Sequence, residues 1–300
     1  MHVAITGSSG LIGTALVRKL AADGHEVIRI VRRTPRPGEA RWNPAAETIE
    51  KSALTGVDAV INLAGAGIGD HRWTDDYKRE LSSSRLLGTE LLSKTLAELD
   101  GKPRVLLSGS AIGYYGSRGD EELDEHSAPG TGFLADLCVR WEAATRPASD
   151  AGVRVVHLRT GIVLSATGGA LGKQLPLYKM ALGGRIGSGR QWQSWISLTD
   201  EVGAICHLLT SNHEGAANLT APNPVRQSEF AKSLGGAVHR PAVLPIPGFG
   251  PKLLLGSELV DNVLLTGQKV LPKALLSDGY EFQHPTLDAA LSAVLARPTA

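Results

Sequence analysis

MHVAITGSSGLIGTAL, residues 1–16, decides the fold. Val3–Thr6 is a short apolar strand run. It enters Gly7-Ser8-Ser9-Gly10-Leu11-Ile12-Gly13, a GxxGxxG turn, and apolar residues then recur at helical spacing from Leu11 to a stop at Gly24. Glycines there permit a tight turn and let backbone N–H groups close on a pyrophosphate at the helix N-terminus. The pattern by itself is common. Set between a strand and a helix, it reads as a nucleotide loop, with Gly7, Ser9, Gly10, Leu11, Ile12 and Gly13 as cofactor contacts.

Outward from this turn the alternation continues. Strand signals cover 25–33, 58–65, 104–110 and 153–164, with helices over 75–100 and near 131–149. Continuous apolar strands separated by helices predict a parallel sheet covered on both faces, that is, an α/β Rossmann-type doubly wound sheet. After about residue 165 the pattern changes to glycine and proline clusters, with helical signals near 199–210, 227–235 and 286–297. We therefore expect an NADP-binding Rossmann domain over 1–165 and a smaller, partly interleaved C-terminal substrate lobe over 166–300.

The cofactor is chosen at the end of the second strand. An acid there would bind the ribose hydroxyls of NAD, but the strand ends Ile30-Val31-Arg32-Arg33. A guanidinium pairs bidentately with a phosphate, so Arg32 and Arg33 suit the 2′-phosphate of NADP(H), Arg32 better placed. The alternative is two solvated arginines.

Composition narrows the function classes. In 300 residues, 42% hydrophobic and 20% charged, the net charge is only +1. That is too balanced for a nucleic-acid binder. Two cysteines give no disulfide framework, which points to the cytoplasm. No signal peptide is expected ahead of the first strand, and no apolar run approaches the roughly 20 residues of a membrane span. The scattered histidines make no metal set.

The stretches TGSSGLIGTAL, INLAGAGI, RWTDDYKRELSSSR, SGSAIGYYG, GGRIGSGRQWQSWISLTD and NLTAPNPVRQSEF resemble the extended short-chain dehydrogenase/reductase superfamily. More narrowly they resemble its atypical branch labelled "epimerase family protein". The likeness runs through nearly the whole chain to GSELVDNVLLTGQKVLPKALLSDGYEF. It implies that Leu63, Ala64 and Gly65 pass under the adenosine half of the cofactor. The small residues of that turn suit a close backbone approach.

The resemblance also implies a serine, a tyrosine and a lysine, the last two spaced Tyr-x-x-x-Lys. The phenol, with a pKa of about 10, needs the nearby cation to act near neutrality. Ser110 matches the serine. On the following helix the matching pair is Phe133 with Leu137 or Leu134 with Cys138, so the superfamily's catalysis does not carry over. Tyr114 or Tyr115 could supply a phenol from the loop after Ser110, unless they only wall the pocket. Arg85, standing where the superfamily often has asparagine, could supply the charge. It is counted as a cofactor contact together with Glu80, its alternative partner. Cys138 could stand in for the lysine or be an inert buried thiol.

In GGRIGSGRQWQSW (183–195), Arg190 and Gln191 are candidate substrate contacts, with a glycine-cornered hairpin as the other reading. The leading function is an NADP(H)-binding oxidoreductase or epimerase on a small organic molecule, whose anionic group Arg190 could hold. The alternatives are a catalytically silent NADP(H) sensor and a nucleotide-sugar epimerase or dehydratase.

Overall fold

The computed structural model describes residues 1–296. Its centre is an eight-stranded sheet of β1 (His2–Thr6), β2 (Glu26–Val31), β3 (Glu39–Asn43), β4 (Thr48–Ile49), β5 (Ala59–Asn62), β6 (Val105–Ala111), β8 (Arg154–Thr160) and β12 (Gly215–Leu219). Three two-stranded pieces complete the strands: β7 (Glu122–Leu123) with β14 (Lys269–Val270), β9 (Ile162–Leu164) with β11 (Trp195–Ser197), and β10 (Trp192–Gln193) with β13 (Val225–Arg226).

Spatial order in the large sheet is β12-β8-β6-β5-β1-β2-β3-β4. All its pairs are parallel except β3 with β4. The order reverses between β1 and β5, so the crevice beyond their carboxyl ends is where a doubly wound fold takes its ligand. Val3, Ile5, Ile61 and Leu107 are fully buried between the helix layers, which is why these strands read as unbroken apolar runs.

Helix α1 (Leu11–Ala22) follows the glycine turn and ends where Gly24 takes a φ of 78°. Helix α2 (Asp75–Ala97) starts at Thr74, whose side chain accepts from Tyr77 N, with Asp75 and Asp76 favouring the positive end of the dipole. The single helix expected near 131–149 is two, α3 (Phe133–Ala143) and α4 (Arg146–Asp150), because Pro147 starts a new turn and cannot continue the old one. The strand expected over 153–164 likewise breaks at Gly161. A Cβ there would stand 2.4 Å from the Ser194 carbonyl oxygen, and the chain leaves the large sheet to pair with β11.

Helix α5 (Gly169–Lys179) and helix α7 (Gln227–Ala237) lie on the C-terminal side of the cleft, whereas α6 (Leu198–Thr210) packs back with α1 over the sheet. Strand β12 and α6 thus return from beyond residue 165 to the sheet. The last helix, Leu287–Leu295, ends inside the described residues, and position 297 of the expected segment lies outside them. No helix among the described residues is long and apolar enough to cross a membrane.

Candidate cofactor and substrate site

The turn after β1 is pressed against the end of β5. Gly7 has a φ of 68°, and a Cβ on it would lie 2.5 Å from Leu63 C and 2.8 Å from Ala64 N. A Cβ on Gly13 would lie 2.3 Å from Gly7 O. Gly10 N donates to Gly7 O at 3.0 Å, and Gly10 caps α1. The first turn of α1 holds no acid, so its free N–H groups and dipole are unopposed toward an anion. Ser9 and Gly10 are exposed, and Leu11 and Ile12 are half-buried.

A buried hydrogen-bond chain fixes the floor. Ala64 N donates to Thr6 Oγ1, which donates to Asn62 Oδ1 at 2.6 Å. Asn62 Nδ2 and Trp141 Nε1 both donate to Thr89 Oγ1, at 2.8 and 2.9 Å. Strands β1 and β5 and helices α2 and α3 are thereby tied together under the ligand crevice.

At the end of β2 the two arginines differ. Arg33 is clamped bidentately by Glu39, at 2.5 and 2.6 Å. Arg32 is exposed and makes no ion pair among the described residues. The narrow glycine cradle, the acid-free helix start and a free guanidinium at the second strand form a site whose chemistry fits a dinucleotide with an additional phosphate.

Beyond the carboxyl edge of β6 and β8 opens a cavity of about 390 Å³. Its walls are largely apolar, from Ile162, Leu164 and Leu171 to Phe230, and Arg85 is the one charged side chain lining it among the described residues. Leu134, Leu137 and Cys138 all face this cavity, whereas Phe133 meets Trp73 edge-on at 5.4 Å outside it. Of the two registers, Leu134 with Cys138 has both members on the cavity, and Phe133 with Leu137 has one. Burial pushes the Cys138 thiol up to about 12, so it offers no thiolate in the lysine's place.

Ser110 lines the cavity, and its Oγ donates to Glu142 Oε1 at 2.7 Å. Glu142 in turn accepts both arms of Arg159, Nε at 2.8 Å and Nη2 at 2.9 Å. Burial alone would raise the Glu142 carboxyl. The hydrogen bonds and charge of Arg159 outweigh it, and the net displacement is downward, which keeps the carboxylate ionised. On the neighbouring strand Thr160, also in the wall, donates to Glu201 Oε1 at 2.8 Å. Glu201 is completely buried and its Oε2 has no partner; burial lifts its pKa to about 8.

Both tyrosines expected near Ser110 are elsewhere. Tyr115 is fully buried. Its hydroxyl donates to Asn218 Oδ1 at 2.6 Å and accepts from Arg159 Nη1 at 3.0 Å, and burial pushes its pKa up to about 12. Tyr114 is half-buried with its ring 3.5 Å from the Arg159 guanidinium. Neither lines the cavity, because the turn Ile112–Tyr115 carries both away from it to hold Arg159.

Arg85 does not meet Glu80, which is exposed on α2. It lies buried under Gly65, 5.1 Å from the Trp141 ring. Its Nη1 donates to Leu81 O at 3.0 Å and its Nη2 to Ala66 O at 2.9 Å, and no carboxylate pairs with it among the described residues. Arg190 is exposed and lies outside the cavity. Gln191 is spent on the carbonyls of Ile186 and Leu264, and it is their neighbours Trp192 and Gln193 that reach the wall. The sequence reading passed over Glu142, Arg159, Thr160 and Glu201. Arg159 alone left a signal, a charge inside the apolar run VRVVHLRTGIVL.

A family model described as "NAD dependent epimerase/dehydratase family" matches residues 3–220, and one described as "Domain of unknown function (DUF1731)" matches residues 246–294. Epimerase family protein MT2273 of Mycobacterium tuberculosis is 48% identical over 298 residues, covering 99% of this chain and 98% of that protein. Human epimerase family protein SDR39U1 is 38% identical, over 99% of this chain and all of the relative. A crystal structure of the human protein (isoform2) with NADPH matches with a TM-score of 0.91 at 36% identity, covering 98% of this chain and 99% of that one.

Proposed function

The chain belongs to the NAD dependent epimerase/dehydratase family, and from that premise we propose that it is an NADP(H)-binding oxidoreductase or epimerase-like enzyme acting on a small organic molecule. The observation that supports it most is the cradle at Gly7 and Gly13, where a Cβ would fall within 2.5 Å of backbone. The NADPH-bound human relative, at 36% identity, supports the same choice of cofactor.

Gly7–Gly13 and the start of α1 would hold the pyrophosphate, Leu63–Gly65 the adenosine half, and Arg32 the 2′-phosphate. Bound there, the nicotinamide supplies hydride chemistry at the cavity. The chain's own part is to exclude water with the apolar walls and to orient a reacting oxygen at Ser110. Leu171, Phe230 and Leu264, from beyond residue 165, furnish part of the apolar wall, as a substrate lobe would, and two free cysteines suit a cytoplasmic protein.

A second reading, a catalytically silent NADP(H) sensor, draws on Leu134 and Cys138 in place of a phenol and an ammonium. A third, a nucleotide-sugar enzyme, sits poorly with a single lining cation. NADPH titration by fluorescence, followed by a screen of alcohols and carbonyl compounds for cofactor turnover, separates these readings. We expect binding, and turnover that falls in Ser110→Ala. Binding without turnover of any compound supports the sensor; no binding removes both.

A further inference from the structure

We infer that the substrate is a small hydroxy acid with an apolar body, its carboxylate on Arg85 and its hydroxyl donated to Ser110 Oγ. This rests on the reading above, in which the cavity beside Ser110 is the substrate site.

The polarity of Ser110 is fixed from behind. A serine hydroxyl has one proton, and that of Ser110 lies in a 2.7 Å bond to Glu142. An ionised carboxylate only accepts, and Glu142 is held ionised by the two arms of Arg159. Ser110 therefore presents lone pairs to the cavity. A ketone or aldehyde oxygen also presents lone pairs and would face it unpaired, whereas an alcohol O–H completes the bond. Glu142 acts here as a positioning residue, setting which partner Ser110 accepts.

The second anchor is Arg85. Two of its five N–H groups go to the carbonyls of Leu81 and Ala66, and the charge itself is matched by no carboxylate among the described residues. A buried guanidinium without a counter-ion favours an anionic ligand. Arg85, Ser110 and Trp141 all line the one cavity. The guanidinium lies 5.1 Å from the Trp141 ring. A ligand that fills the cavity can therefore meet both groups, a carboxylate on Arg85 and a hydroxyl on Ser110. Ile162, Leu164, Leu171 and Phe230 then cover an apolar remainder. A nucleoside diphosphate sugar would bring two phosphates to one cation.

The test is calorimetric binding to the NADP⁺-loaded protein, with mandelate, phenylacetate (no hydroxyl), mandelamide (no charge) and phenylglyoxylate (ketone for alcohol). Mandelate should bind roughly tenfold tighter than each of the others. Arg85→Gln should erase its advantage over mandelamide, and Ser110→Ala its advantage over phenylacetate. Glu142→Gln, whose amide can donate to Ser110 Oγ and release the serine proton, should move the preference toward phenylglyoxylate; a merely structural role for Glu142 would weaken all four alike. Equal binding of mandelate and phenylacetate, a wild-type preference for the ketone, or binding of none of the four overturns the inference. NADPH titration of the same samples keeps the outcomes apart. Loss of NADPH binding strikes at the cofactor reading, and intact NADPH binding without the hydroxy-acid preference strikes at this inference alone.

Discussion

Replacing Glu201 by glutamine should flatten the dependence of stability on pH. Glu201 is completely buried, is bonded only to Thr160, and has its pKa lifted from the ordinary 4.5 to about 8 by burial. An acid whose pKa is higher in the folded chain keeps a proton that the unfolded chain has released, so stability falls as pH rises from the unfolded value toward the folded one. The rise of about 3.5 in pKa, at about 1.36 kcal/mol each, gives a full swing of about 5 kcal/mol, of which about 3 kcal/mol falls between about pH 5 and about pH 8. Glutamine keeps the acceptor for Thr160 and cannot ionise, but it places an unpaired N–H where Oε2 stands, costing about 1–3 kcal/mol. Urea unfolding across this range should therefore show Glu201→Gln less stable than the wild type at the acid end and more stable at the alkaline end. Parallel curves for the two proteins would refute the reasoning, because they would mean that Glu201 ionises alike in both states.

Gly13→Ala forces a methyl to 2.3 Å from Gly7 O, so we expect roughly 1–3 kcal/mol of destabilisation and at least about tenfold weaker NADPH binding, read by melting and fluorescence titration. Tyr115→Phe leaves Asn218 Oδ1 unpaired and Arg159 Nη1 with only the Glu125 carbonyl, and should cost about 1–3 kcal/mol in urea unfolding with NADPH affinity unchanged. Tyr114→Phe keeps the ring over Arg159 and should stay within about 0.5 kcal/mol of the wild type.

The sheet was legible because its strands are buried on both faces and its helices carry regular apolar spacing. The short strands Glu39–Asn43 and Thr48–Ile49 at one end of the sheet, and Gly215–Leu219 at the other, were not; RWNPAAETIE, for one, mixes charges and turn residues without a clear period. The nucleotide loop was legible because its glycines are required by backbone approach within a span of seven residues. The substrate side was not, because its polar groups meet only in three dimensions. Ser110 and Glu142 are 32 residues apart, and Thr160 and Glu201 are 41 apart. An acid in the first turn of a helix, such as Glu201, looks like ordinary dipole stabilisation until its burial is seen. Tyr114 and Tyr115 drew notice as phenols beside Ser110, but a single tight turn rotates both toward Arg159.

The most direct measurement of the central claim is the affinity of the wild type and Arg32→Ala for NADPH and NADH, side by side, by fluorescence titration. Arg32 is exposed at the strand end, whereas Arg33 is held by Glu39. NADPH should bind the wild type at least about tenfold tighter than NADH, and Arg32→Ala should lose that preference while its NADH affinity stays the same. Equal affinities in the wild type, or a preference that survives in Arg32→Ala, would contradict the account.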